Sequence, residues 1–275
     1  MRYLMREGAL LSDNQWDLID KEVVAEAKKV LVGRRFLSIH GPLGAKAQNV
    51  SVDVMTKSSA SADFWAAAAD DAVNIDSRRF VNLSTIYSDF MISWRDVEDE
   101  SGAGVQAAAD AAAACARRED ELIFFGSKDK DSGVDGIFTA KGVHKVKIAD
   151  WNQGENPVRD VSKALEVLVD AGCVGERALV VATDLWGKMH RIQSGTGTME
   201  IDRVRSLVDG HLFRCSRLES GTAALVYCDP RNMDLVIGQD MTTAYLGNED
   251  MDHKFRVMET LVPRIKRPSA IAILG

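Results

Sequence analysis

The segment 45–70 constrains the fold of this chain most. Val50, Val52 and Val54 alternate with Ser51 and Asp53, the pattern of a strand with one dry face and one wet face. Lys57-Ser58-Ser59-Ala60-Ser61 then breaks the pattern, and Phe64-Trp65 open a second apolar stretch running to Ala69. A two-stranded excursion of this length is marginal alone in water, because it has no third strand or helix on which to bury a face. Its apolar side needs another surface, and a neighbouring chain can supply one.

The elements around it are of mixed type. Ser12 and Gln15 have capping-box spacing, and Trp16, Ile19, Val23, Ala27 and Val30 recur as a helical stripe. Gly33 ends that helix, Arg34 to Ile39 reads as a strand, and Gly41-Pro42-Leu43-Gly44 reads as a turn. Strand-like spacing returns between Asn74 and Trp94. After the breaker Ser101-Gly102-Ala103-Gly104, the alanine-rich run Ala107 to Ala114 predicts a helix suited to close packing. From Gly133 the pattern is α/β. A helix carries Val158, Val161, Leu165 and Leu168, with Pro157 where a missing amide costs least. Ala178 to Ala182 is a buried-type strand, and strand signals recur to Leu274.

Composition narrows the function. With 34 Lys and Arg against 41 Asp and Glu the net charge is −7, so no chain-wide basic field favours nucleic acid or anionic lipid. No apolar run reaches the roughly 20 residues of a membrane span, and the N-terminus lacks the core of a signal peptide, so a soluble cytoplasmic protein is expected. Cys115, Cys173, Cys215 and Cys228 form no CxxC pair and read as buried thiols. His40, His144, His190, His211 and His253 show no metal-ligand spacing, and no GxSxG elbow occurs. No catalytic residue, metal site or cofactor is expected, and the chain is not expected to be an enzyme.

Four segments in order, Val32-Gly33-Arg34-Arg35-Phe36 with Gly41-Pro42-Leu43-Gly44, Glu119-Asp120-Glu121-Leu122-Ile123-Phe124, Gly133-Val134-Asp135-Gly136-Ile137, and Gly238-Gln239-Asp240 with Tyr245, resemble the encapsulins, the linocin-type shell proteins of bacterial nanocompartments. The resemblance implies an α+β fold of the tailed-phage major capsid protein type (Hong Kong phage capsid type). It also implies an N-terminal helix and arm over 1–44, an extended loop over 45–70, a peripheral domain with a spine helix over 71–133 and 226–275, and an axial domain over 134–225. The implied function is self-assembly into an icosahedral shell around a cargo enzyme, such as a ferritin-like protein or peroxidase, held by its C-terminal targeting peptide. The alternative is a phage or prophage major capsid protein.

Two sites follow from the resemblance. The cargo peptide would lie against Trp16, Ile19, Val23, Ala27 and Val30, with Asp234, Leu235 and Tyr245 opposite. Ser194, Gly195, Thr196, Gly197 and Thr198 would line a small uncharged pore at the five-fold axis. Arg34, Arg35, Arg78, Arg79, Glu119 and Asp120 are candidate contacts between subunits. Some shells of this family are associated with a flavin; Arg79, Tyr87, Phe90 and Trp94 occupy the matching region, but no bound flavin is expected.

Overall fold

The computed structural model describes residues 2–55, 75–98, 102, 104–127, 133–192 and 197–275. Helix α1 (Asp13–Val30) starts at a complete capping box: the Ser12 hydroxyl accepts the Gln15 amide, and the Gln15 side chain accepts the Ser12 amide in return. A 3₁₀ turn, Gly33–Arg35, follows where a strand was expected, and only Ile39–His40 (β1) is extended. Strand β2 (Asn49–Met55) pairs antiparallel with β3 (Ile75–Asn82); the rest of the extended-loop segment lies outside the described residues.

Strand β4 (Ser84–Ile92), the short helix α2 (Trp94–Val97) and the long helix α3 (Val105–Phe125) come next. The chain then runs through β5 (His144–Val146), α4 (Asn156–Asp170), β6 (Arg177–Ala182), α5 (Thr183–Met189), α6 (Glu200–Leu207), β7 (Leu212–Cys215) and β8 (Ala223–Tyr227). Two long strands, β9 (Met233–Glu249) and β10 (Asp252–Ile265), precede the last strand, β11 (Ile271–Leu274).

The strands form a sheet of order β1-β9-β10-β4, a second of order β5-β11-β8-β6-β7, and the β2–β3 ribbon. Helices α1 and α3 cover one face of the first sheet. There Trp16, Ile19, Val23, Cys115, Ile123, Phe255 and Val257 share a core. The second sheet serves two cores at once. On β6, Ala178 and Val180 face the first core while Leu179 and Val181 face a second one under α4, α5 and α6; β8 divides its residues in the same way. A strand buried on both faces has no wet side, which accounts for its unbroken apolar run. Strand β11, grouped by sequence with 226–275, instead completes this second sheet between β5 and β8, because its residues are needed by both cores.

The Gly133–Ile137 motif closes the end of α3. Ile137 and Phe138 donate their amides to the Ile123 and Phe124 carbonyls at 3.0 and 2.8 Å, and the Thr139 hydroxyl reaches the Phe125 carbonyl. These are helix-end acceptors that have no partner within the helix itself. The approach needs glycine, since a Cβ on Gly136 would collide with the backbone of Phe125 and Gly126.

Candidate functional site

Anchoring of the arm decides what surface this chain presents. Arg34, on the 3₁₀ turn after α1, donates from Nε and Nη2 to both carboxylate oxygens of Glu119 on α3 (2.8–3.1 Å). Its Nη2 also reaches Glu259 Oε2 on β10 at 2.8 Å, and its Nη1 reaches Asp240 Oδ1 on β9 at 2.7 Å. Glu119 and Glu259 are fully buried, while Asp240 faces water. Next to this fork, Asp120 accepts the amides of Val32 and Gly33. A Cβ on Gly33 would strike Ile123, so the turn can pack this closely only as glycine.

The cage holds more acid than base. Burial, then the charge of Glu119, raise Glu259 well above the ordinary carboxyl range despite Arg34. Burial likewise pushes Asp120 up to about 7, against the pull of its two backbone donors. With two buried carboxyls on one guanidinium, ionising Glu259 is disfavoured. Among the described residues, Glu259 Oε1 and the Thr243 hydroxyl are both buried without a hydrogen-bond partner. Arg34, Glu119 and Asp120, candidates for contacts between subunits, are engaged inside the chain, in the local ion pairs and turn bonds that such charges more often make. Sequence reading missed Glu259; the available signal was its place in the alternating inward row Phe255, Val257, Glu259, Leu261.

The predicted peptide groove is largely occupied by the chain itself. Trp16, Ile19, Val23 and Ala27 are buried, and Trp16 meets Phe255 edge-on at 5.7 Å. Val30 is half-buried beside Ala27, Leu31 and Ala116. Leu235 is fully buried and paired with Ile39. Asp234 is held by Arg264 and Lys266, which together outweigh its burial and lower its pKa. The Tyr245 hydroxyl meets His253 Nδ1 at 3.0 Å. The stripe predicted to bind a guest is core because α3 packs along it, with β9 and Phe255 of β10 closing the sheet side. The apolar side chains of α1 that remain in solvent are Leu18 and Val24.

The ribbon exposes Met55, Ile75 and Phe80. Positions Ile75 to Phe80 of β3 are all exposed, Phe80 to 70%. Val52 and Val81 root its base in the core, and Arg78 pairs with Asp53 across the strands. Arg79 reaches Asp135 at 3.0 Å, tying the ribbon to the motif that closes α3. Of the pore candidates, Ser194, Gly195 and Thr196 lie outside the described residues, while Gly197 and Thr198 are exposed just before α6. In the region matched to a flavin, Phe90 is buried against Phe255, Tyr87 lies under the Arg256 guanidinium, and Trp94 is capped by Arg95. All four cysteines are buried, and burial pushes Cys115 and Cys228 up to about 12 and Cys215 to about 11. Among the described residues no helix is long and apolar enough to cross a membrane, and no His, Cys, Asp and Glu cluster could hold a metal.

Comparison with known proteins agrees with this architecture. Residues 1–262 match the family Linocin_M18, described as encapsulating protein for peroxidase. The chain is 38% identical over 269 residues to the type 1 encapsulin shell protein EncA of Myxococcus xanthus, covering 96% of this chain and 93% of that one. It is 34% identical to a diheme-cytochrome-encapsulin shell fusion protein of Kuenenia stuttgartiensis, covering 96% of this chain and 73% of the fusion. The virus-like particle of Pyrococcus furiosus superposes with a TM-score of 0.78 at 20% identity, over 94% of this chain and 99% of that one. The capsid of Myoviridae phage XM1 superposes with a TM-score of 0.65 at 11% identity, over 88% of this chain and 90% of that one, a likeness of fold alone. With a full-length family match, substantial identity to shell proteins and the phage-capsid fold, the chain belongs to the encapsulins, the linocin-type family of nanocompartment shell proteins.

Proposed function

We propose that this chain closes with copies of itself into an icosahedral shell in the cytoplasm and encloses a cargo enzyme, with no chemistry, nucleic acid or cofactor of its own. The observation that carries the reading is the β2–β3 ribbon, rooted in the core but exposed along β3 from Ile75 to Phe80. Such a ribbon gains stability when a second surface covers it, and Phe80 offers that surface a large apolar side chain. Many modest contacts of this kind, repeated around a closed assembly, sum to a stable particle.

Phe80→Asp tests this. The side chain is exposed in the single chain, so the subunit is expected to fold with an unchanged circular dichroism spectrum. Shell formation in size-exclusion chromatography is expected to fall sharply. A variant assembling as well as the unchanged chain would contradict the role of the ribbon.

Cargo capture is assigned to the exposed side of α1, where Val24 offers an apolar anchor beside the buried stripe. Fusion relatives carry a ferritin-like protein or a cytochrome in their names, which supports an enzyme guest without specifying it. A few apolar anchors carry most of the energy in such helix-face recognition. Val24→Asp is expected to leave shells visible and to lower co-purified cargo about tenfold, read by densitometry of purified particles. Undiminished loading would move the peptide site elsewhere. The small-residue loop ending in Gly197 and Thr198 is assigned to an uncharged pore on the same reading.

A further inference from the structure

Of the adjacent pair Arg34-Arg35, only the first is consumed by the arm anchor. The Arg35 guanidinium makes no ion pair or hydrogen bond among the described residues; it lies 4.9 Å above the Phe213 ring, exposed on its other side. It lines a half-open cavity of about 140 Å³ between the arm and the second sheet, together with Ser38, Glu176, Arg177, His211 and Cys228. We propose that this cavity is a binding site for a small tetrahedral oxyanion such as phosphate, held chiefly by Arg35 and His211.

The lining is rich in donors and poor in acceptors. Arg177 is held by the Leu207 carbonyl at 2.9 Å and paired with Asp209 at 3.1 Å, so its charge is largely compensated and Arg35 is the main cation open to the cavity. Ser38 gives its carbonyl to Leu235, while its amide and hydroxyl are unused among the described residues. His211 packs beside the same Phe213 ring from which Arg35 projects, at 6.5 Å between ring centres. Its Nε2 lies 3.6 Å from Glu176 Oε1, too far for a hydrogen bond, so the imidazole has no tight partner there. Glu176 is largely in solvent at the rim and is the one carboxylate in the lining. Burial keeps the Cys228 thiol neutral, so the floor adds no competing negative charge. A volume of about 140 Å³ corresponds to roughly four or five waters of liquid, enough for one phosphate with a bridging water. Guanidinium matches the oxygens of such an anion in pairs, and a stacked guanidinium has already lost much of its freedom. A bound anion would bridge residues 35–38 of the arm to the ends of β6, β7 and β8.

The test is isothermal titration of potassium phosphate into purified, intact protein at constant ionic strength. The expected result is saturable binding, near one phosphate per chain, weakened about tenfold or more in Arg35→Ala and tightened severalfold in Glu176→Gln. Arg95→Ala, which removes another exposed stacked arginine, is expected to bind as the unchanged chain does. Acetate is expected to compete weakly; competition equal to that of phosphate would overturn the assignment to a tetrahedral anion. Non-saturable heats, or equal effects of Arg35→Ala and Arg95→Ala, would overturn the site. Should Arg35→Ala fail to fold, unchanged affinity in Glu176→Gln would do so. The outcome is independent of whether Phe80 mediates assembly.

Discussion

Arg34→Ala is expected to cost about 3–5 kcal/mol, the range found when one partner of a buried ion pair is removed and the other is left without compensation. Arg34 sits between two fully buried carboxyls, Glu119 and Glu259, and reaches a third, Asp240, at its exposed end. Without the guanidinium, Glu119 loses three hydrogen bonds and Glu259 loses the partner of Oε2. The loss is a large share of the 5–15 kcal/mol that typically holds a domain folded. Arg34→Lys should recover only part of it, because one ammonium cannot serve Glu119 as a fork and Glu259 at once. Guanidinium unfolding followed by fluorescence of the buried Trp16 and Trp151 reads the difference. A change below about 1 kcal/mol for Arg34→Ala would mean that the cage adds little.

The same cage should make the fold less stable as pH rises. Glu259 and Asp120 bind their protons more tightly in the folded chain than in the unfolded one. The sign follows directly: their contribution is fully present below the unfolded carboxyl range near ~4 and is lost as pH rises through the folded values. For Asp120 the loss runs from about 4 to about 7, and for Glu259 it starts in the same place and continues upward. Each retained proton contributes a slope of about 1.4 kcal/mol per pH unit inside its window. Glu259→Gln imitates the protonated carboxyl, so it should be nearly neutral at pH ~5 and flatten the decline toward pH ~8. Denaturant melts at fixed ionic strength across that range test this. Parallel profiles for the variant and the unchanged chain would show that Glu259 does not hold the proton.

What could be read from the sequence depended on how far each partner lies along the chain. The capping box of Ser12 and Gln15 spans three residues and was legible in full. The alanine-rich helix was legible because its propensity is local, and the turn at Gly133–Ile137 because glycine marks a close approach. Arg34 was a different case. Its partners lie 85 and 225 residues away, so nothing nearby distinguishes it from Arg35, which stacks on Phe213 and makes no ion pair among the described residues. The Trp16, Ile19, Val23 stripe showed an apolar face but not its cover, since α3, β9 and β10 all come far along the chain. Strand β11 shows the same limit: four apolar residues do not say which core they complete. Of the ribbon, only β2 was legible from its alternation; its partner is Ile75–Asn82, while the expected second stretch, Phe64 to Ala69, lies outside the described residues.

Negative-stain electron microscopy of the chain expressed alone and purified by size exclusion tests the central claim most directly. Uniform hollow particles eluting near the void volume are expected, without any cargo gene present. A small species that stays small across salt and pH would contradict self-assembly.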